Sequence, residues 1–288
     1  MSGAEFFPAP AKLNLFLHVI GRRPDGYHEL QTVFRFIDAA DRIGVAVRHD
    51  GVIRRVNEVA GVPEEGDLVV RAARLLQRET GTSLGADLTV EKHLPQGGGL
   101  GGGSSDAATT LLALNHRWGT GLVRGELQRL ALNLGADVPV FVFGRNAFGE
   151  GVGERLQALP LPPEWYVVLV PPVIVSTPAV FAQPDLTRNT DAIRIAAFST
   201  GWREWRVAFG GRNDLEPVVR RMHPEVARSL DWLAGFGDAR MTGSGACVFC
   251  GFETEREARE VLARRPADIT GFVARGLEEH PLRALVED

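Results

Sequence analysis

Cysteine is nearly missing from this chain: Cys247 and Cys250 are the only two in 288 residues. They stand in CxxC spacing within Gly245 to Phe252, a run that reads as a strand. Positions three apart on a strand face opposite sides of a sheet, so the pair cannot close a disulfide, and two thiols fall short of a zinc site. Both are expected to be buried and inert. Long apolar runs are missing as well. No stretch approaches the roughly 20 residues of a membrane-spanning helix, and Met1 to Glu5 carries no basic region leading into a signal-peptide core. A cytoplasmic protein without a membrane partner is expected. Excess positive charge is also absent. A net charge of −4 removes the basic surface on which nucleic-acid binding usually rests. It does not exclude a phosphorylated ligand, because backbone N–H groups and a few cations such as Lys12, Arg22 and Arg23 can supply local anion affinity.

What the chain has in quantity is glycine, concentrated in Pro95-Gln96-Gly97-Gly98-Gly99-Leu100-Gly101-Gly102-Gly103-Ser104-Ser105-Asp106. Glycines reach left-handed dihedrals and let a ligand approach the backbone, so such a run can turn several N–H groups into one concavity suited to phosphate. A flexible Gly/Ser linker is the competing reading. The flanks oppose it: Ala86 to Glu91 looks like a strand and Ala107 to Leu114 like a helix, so the connection is ordered. Ser104 or Ser105 is expected to cap that helix, whose free N–H groups and dipole favour the same anion.

Several phosphate and metal chemistries drop out by their missing parts. No Lys followed by Ser or Thr closes the loop, so it is not a Walker A sequence. A GxGxxG match at Gly97, Gly99 and Gly102 means little in so glycine-rich a run, and no acid-terminated second strand follows as a dinucleotide fold requires. Protein-kinase HRD and DFG signatures are absent, and His28-Glu29 is followed by Thr32 where a zincin needs its second histidine.

The remaining pattern, Pro-x-x-x-Gly-Leu-Gly followed by Ser-Ser and Ala-Ala, resembles the phosphate loop of the GHMP kinases. Four further segments extend the resemblance: Pro10 to Leu15 (PAKLNL), Arg23 to Gln31 (RPDGYHELQ), Gly135 to Pro139 (GADVP) and Thr242 to Cys247 (TGSGAC). Together they span residues 10 to about 250 and point to the branch of the family whose acceptor carries a cytidine diphosphate group. The resemblance implies an α+β protein with the two-domain GHMP kinase fold: an N-terminal ribosomal-protein-S5-like nucleotide domain and a C-terminal α+β sandwich. The Pro160-Leu161-Pro162-Pro163 stretch marks the boundary, giving residues 1–160 and 161–288. With 44% hydrophobic residues a sizeable core is available.

Local patterns place the motifs. Lys12 to Ile20 alternates as a strand, with Leu13, Leu15, Leu17 and Val19 on one face and Lys12, Asn14, Phe16 and His18 on the other. Arg23-Pro24-Asp25-Gly26 is a turn that presents Tyr27 and His28. Val33 to Ile37 and Arg42 to Arg48 read as two strands, and Asp67 to Arg78 as a helix. The family commonly has Asn where Asp67 stands. A second helix should end on a left-handed cap at Gly135, after which Pro139 opens another helix beside Asp137. Gly149 to Glu154 suggests a hairpin. Beyond the boundary come a strand Trp165 to Val170, helices near Phe181, Val218 to Met222 and Val226 to Leu233, and a strand Ala246 to Phe252.

The resemblance implies roles as well. The loop Pro95 to Ser105 would hold ATP with Mg²⁺, a hydroxyl of Ser104 or Ser105 being a candidate metal ligand while other metal ligands stay unassigned. Asp137 would face the acceptor hydroxyl as base or orienter, with Lys12 as its electrostatic partner. Tyr27 and Phe181 would sandwich a cytosine read by His28, and Asn14, Thr177 and Thr242 would line the acceptor's polyol end. The implied reaction is phosphorylation of the 2-hydroxyl of a cytidine-diphosphate-linked methylerythritol, in the non-mevalonate route to isoprenoid precursors. The alternatives are another small-molecule kinase of the family or a catalytically silent nucleotide sensor. Either a monomer or a homodimer suits the sequence.

Overall fold

Two long strands organise the molecule. In the computed structural model, which describes residues 3–198 and 211–288, β1 (Glu5–Arg22) and β2 (His28–Arg48) pair antiparallel along their length. They are joined by the expected turn, in which Arg23 N–H donates to Tyr27 O at 2.7 Å and Gly26 takes φ 90°. The segments read separately as Val33 to Ile37 and Arg42 to Arg48 are therefore one strand. Asp38 and Ala39 between them form an irregularity: Pro10 lies opposite Ala40, but Ala11 lies opposite Ile37.

That irregularity decides where the site residues point. Before it, Phe7 and Ala9 of β1 pack with the helices; after it, Ala11, Leu13 and Leu15 pack against the second sheet. A register shift of this kind re-aims side chains. Lys12 and Asn14 consequently face the glycine loop instead of the space between the sheets.

The other edge of β2 is shared. β4 (Gly85–Glu91) pairs with its Arg42–Arg48 half and β5 (Ala147–Gly151) with its Leu30–Phe34 half. β3 (Ile53–Arg55) lies beyond β4, and β6 (Arg155–Ala158) beyond β5 through the expected hairpin. A second sheet has the order β10 (Thr270–Arg275), β7 (Trp165–Val170), β9 (Val248–Phe252), β8 (Arg240–Met241).

Hydrophobic alternation then stacks four layers. Helices α1 (Leu68–Thr80), α2 (Gly102–Trp118), α3 (Arg124–Leu132) and α4 (Val138–Phe143) bury Leu76, Leu111, Leu127 and Phe141 against Phe34 and Phe36 of the first sheet. Val33, Phe148, Tyr166, Val168 and Phe249 fill the space between the sheets. On the far side, Val167, Leu169 and Val248 meet α5 (Thr177–Phe181), α6 (Glu216–Met222), α7 (Pro224–Ala234) and α8 (Glu255–Ala263). Both cysteines are buried as expected, Cys247 in the middle core and Cys250 in the outer one. Leu17 and Val19 of β1 also reach that outer core, while Leu282 and Val286 of the chain's last segment return to the first.

Two expectations about helix ends need correction. α3 stops at Leu132 with Asn133 in a right-handed conformation, and Gly135 does not adopt positive φ. The last turn tightens instead, with Asn133 N–H donating to Leu130 O at 3.1 Å. Neither serine caps α2: the cap position is Gly101, at φ 73°, and Ser104 and Ser105 lie inside the first turns.

Candidate active site

The glycine loop earns its composition residue by residue. Gly97, Gly99 and Gly101 have φ 68°, 76° and 73°, an alternation of left-handed positions of the kind that can gather successive N–H groups into one concavity. Close approach adds a second demand. A Cβ on Gly99 would stand 2.2 Å from Thr242 O, and one on Gly98 2.6 Å from Cys247 Sγ. The loop runs straight into α2, so Gly102, Gly103 and Ser104 at the helix start line the same cleft of about 640 Å³. Pro95, Gln96 and Leu100 line it too. Ser105 does not: its hydroxyl is buried and donates to Pro10 O at 2.7 Å, pinning α2 to β1.

Beneath the loop lies Lys12, almost wholly buried. Its ammonium donates to Gly99 O at 2.9 Å and to Asn14 Oδ1 at 2.5 Å, and stands 3.3 Å from Asp137 Oδ2. Asp137 occupies the cap position of α4, with Pro139 in the first turn as expected, and its carboxylate is the accessible member of the pair. Asn14 is held in turn: its side-chain amide donates to Thr32 Oγ1 at 2.9 Å. The sequence places Lys12 and Asp137 125 positions apart; the fold brings them together in one cleft wall.

Thr242 has a different place from the one expected. It is fully buried, accepts from Asn14 N–H at 3.0 Å and donates to Gly99 O at 3.3 Å. It therefore ties β1, the glycine loop and the shorter Thr242-Gly243-Ser244-Gly245 loop to one another rather than lining the cleft. Gly243, Ser244 and Gly245 do line it. Thr177 lines it opposite, its hydroxyl 2.6 Å from that of Ser244.

At the far end stands Phe181, partly buried against the outer core and open to the cleft. Its stacking partner is not Tyr27, which is exposed, but His28, at 4.7 Å between ring centres and 26° between planes. The turn at Gly26 pushes Tyr27 outward, and the first residue of β2 is the one whose ring reaches Phe181. Arg188 closes the arrangement, its Nε–H donating to His28 Nε2 at 3.1 Å. Burial first, then the charges of Arg188 and Arg22, lower the pKa of His28 from the usual histidine value.

Sequence reasoning missed Arg188 and a buried charge cluster behind the loop, whose Lys92 and Asp106 also line the cleft. Lys92 donates to Asp106 at 2.7 Å and also pairs with Asp41, whose other oxygen accepts from the N–H groups of His93 and Leu94. Burial pushes the Asp106 carboxyl up to about 7, against the pull of Lys92 and with added repulsion from Asp41 and Asp67. A charged residue inside the apolar run Ser105 to Leu114 was the available signal. Asp67 caps α1 by accepting from Val69 N–H and pairs with Arg55 at 2.5 Å. Among the described residues no group of three or more His, Cys, Asp or Glu side chains forms a cation cage, and no helix is long and apolar enough to cross a membrane.

Comparison with known proteins identifies the family. Residues 67–145 match the family model "GHMP kinases N terminal domain" and residues 195–268 match "GHMP kinases C terminal". A Thiobacillus denitrificans protein named 4-diphosphocytidyl-2-C-methyl-D-erythritol kinase is 60% identical over 99% of this chain and 100% of its own. The Nitrosomonas europaea protein of the same name is 58% identical over 96% and 99%. A crystal structure of 4-(cytidine 5'-diphospho)-2C-methyl-D-erythritol kinase superposes with a TM-score of 0.80 at 35% identity, covering 94% of this chain and 99% of that one. Methanococcus jannaschii mevalonate kinase shares the fold at a TM-score of 0.67 and 16% identity, covering 96% and 99%. The chain belongs to the GHMP kinases, a family of small-molecule phosphotransferases, and within it to the group of 4-diphosphocytidyl-2-C-methyl-D-erythritol kinases.

Proposed function

We propose that this chain transfers the γ-phosphoryl group of ATP to the 2-hydroxyl of 4-diphosphocytidyl-2-C-methyl-D-erythritol, a step toward isoprenoid precursors in the cytoplasm. The names of the relatives, at up to 60% identity over nearly the whole chain, support the substrate. The observation that carries the chemistry is the Lys12–Asp137 pair, 3.3 Å apart in the wall of the cleft that the glycine loop also lines.

Phosphoryl transfer asks the protein mainly to position donor and acceptor and to stabilise spread charge. The inward N–H groups from Gly97 to Gly103 and the start of α2 receive the phosphates. Asp137 orients the acceptor hydroxyl and takes its proton. Lys12, paired with that carboxylate, offsets charge on the transferring group. At 3.3 Å and an effective dielectric of about 20 the pair is worth at most about 5 kcal/mol, reduced because solvent reaches Asp137. Asn14 and Gly99 O fix the ammonium so that it need not reorganise during transfer.

Mg²⁺ fits the residues present in a limited way. Mg²⁺ commonly takes phosphate oxygens and water with one or two protein ligands, and Ser104 at the start of α2 offers a hydroxyl, while that of Ser105 is already committed. Bound there with ATP, the ion would neutralise charge on the phosphate oxygens. Residues before Pro160 thus supply the donor loop, the Lys12–Asp137 pair and, with Asn14, Tyr27 and His28, part of the acceptor end, which Thr177 and Phe181 beyond it complete.

The test is an ADP-release assay with ATP, magnesium and the cytidyl acceptor. Turnover with that acceptor and not with homoserine or mevalonate is expected. Turnover with one of the others would reassign the acceptor, and none with any would favour a sensor. Asp137→Asn should lower kcat by about 100-fold or more, some 2.7 kcal/mol in the barrier, with the KM for ATP nearly unchanged. Retention of most turnover would remove Asp137 from the mechanism.

A further inference from the structure

Arg188 lies seven residues past Phe181, outside every motif that identifies the family, and its guanidinium is spent in an unusual way. Among the described residues it pairs with no carboxylate. Its Nε–H donates to His28 Nε2 at 3.1 Å, while its terminal nitrogens donate to Leu186 O at 3.1 Å and to Phe181 O and Gln183 O at 2.8 Å each. One side chain thus holds the histidine and the backbone of the ring stacked on it.

A guanidinium can only donate, and it stays charged at any pH of interest. The nitrogen it meets must therefore present a lone pair. In a neutral imidazole this assigns the proton to the other nitrogen, Nδ1. The usual ambiguity of histidine tautomers is removed here by a partner with no acceptor. The charged groups facing His28 act the same way: Arg22, its cross-strand neighbour on β1, and Arg188 from the segment after α5 both oppose a second proton.

We propose that Arg188 is a positioning residue for base recognition, fixing His28 as a neutral Nδ1–H donor against Phe181 so that the site takes cytosine and refuses uracil. This rests on the cytidyl acceptor proposed above. A base accepting from Nδ1–H lies in the plane of the imidazole, over the same face of Phe181, with exposed Tyr27 free to fold across it. Cytosine N3 carries a lone pair and can accept there. Uracil N3 carries a hydrogen and meets Nδ1–H donor to donor. A site built to pair a polar edge discriminates strongly against the mismatched edge, because the buried donor is left unsatisfied.

The experiment compares the full-length enzyme with Arg188→Met, which keeps much of the side-chain bulk and removes every donor. ¹⁵N NMR of His28 without substrate is expected to show the Nδ1–H tautomer in the parent and a mixture richer in Nε2–H in the variant. With 4-diphosphocytidyl-2-C-methyl-D-erythritol, the variant's KM should rise about 10-fold at pH 8 with kcat and the KM for ATP unchanged, and preference over the uridine counterpart should fall by a similar factor. The pH dependence has a distinctive sign. Protonation gives both imidazole nitrogens a hydrogen, so acid restores the Nδ1 donor in the variant, and the ratio of variant to parent KM should shrink between pH 8 and pH 6. An Nε2–H tautomer in the parent would overturn the proposal, and so would a KM ratio independent of pH, the result expected of a purely structural arginine. Parent enzyme inactive on the cytidyl acceptor would instead sink the proposed function, while the NMR result would still decide whether Arg188 sets the state of His28.

Discussion

At the proposed donor end the cleft is walled largely by one continuous run, Pro95 to Ser104, whose contribution is backbone: left-handed glycines and a helix start. At the proposed acceptor end the wall is assembled from side chains that arrive separately, Asn14 from β1, Thr177 and Phe181 from α5, and Asp137 from the start of α4, with His28 of β2 stacked on Phe181. The first design can be damaged by adding a single carbon and is indifferent to side-chain chemistry it does not have. The second tolerates small geometric changes but depends on which functional group stands at each position. Lys12 belongs to both, bonded to Gly99 O on one side and paired with Asp137 on the other.

The largest effect should come from the donor end. Gly99→Ala combines a φ of 76° that disfavours a side chain with a Cβ 2.2 Å from Thr242 O, so the loop must move away from both Thr242 and Lys12. Loss of at least about 100-fold in kcat/KM for ATP is expected, with the acceptor KM also raised because Thr242 is displaced. Gly103→Ala is the contrast. Its Cβ would find only Leu68 Cδ1, at 3.7 Å, and an alanine in the first turn of α2 should leave kinetics within about 3-fold of the parent in the same assay; helix propensity would even favour it. Equal behaviour of the two variants would show that backbone conformation is not what the donor end depends on.

The acceptor end should fail differently. Phe181→Ala removes a ring face without touching the loop, so the KM for the cytidyl acceptor should rise about 10-fold while the KM for ATP and kcat at saturation hold. Tyr27→Ala should do the same to a smaller extent, since Tyr27 is exposed and unstacked before a base arrives. Parallel rises in both KM values would mean that the two ends are not separable.

The same contrast explains what could be read from the sequence. The glycine loop is contiguous, so its ordered entry into a helix was legible in a dozen residues, and its mistaken detail was the choice of cap: serine is a good capping residue, but Gly101 was already in the left-handed conformation the loop needed. The Lys12–Asp137 pair was legible only through the family resemblance, because nothing local in the PAKLNL strand says that Lys12 faces Asp137. That direction depends on the irregularity opposite Ile37 to Ala40, which alternation cannot reveal and which also hid the continuity of β2. Thr242 was misassigned because a buried strut and a ligand contact look alike in sequence. Arg188 left no local sign, since its meaning arises only where His28 and Phe181 meet.

The smallest effect on catalysis, and the clearest on stability, should come from behind the loop. Asp41 and Asp106 share Lys92, which leaves one negative charge in excess in a buried cluster. Asp106 is where that excess is relieved, its carboxyl pushed up to about 7 from an ordinary value near 3.8. Between those two pH values the folded chain holds a proton that the unfolded chain has released. Stability from this group is therefore complete below about pH 4 and is lost as the pH rises through 7. Asp106→Asn keeps an oxygen that can accept from Lys92 and removes the charge, so Asp41 and Lys92 become a balanced pair. Its melting temperature relative to the parent should climb as the buffer goes from pH 5 to pH 8, by about 5 °C for an effect on the order of 2 kcal/mol, with kcat changed by less than about 3-fold at pH 8. A difference that stays flat across that range would mean that Asp106 remains ionised throughout. The charge behind the loop would then be balanced by the protein and not by a proton.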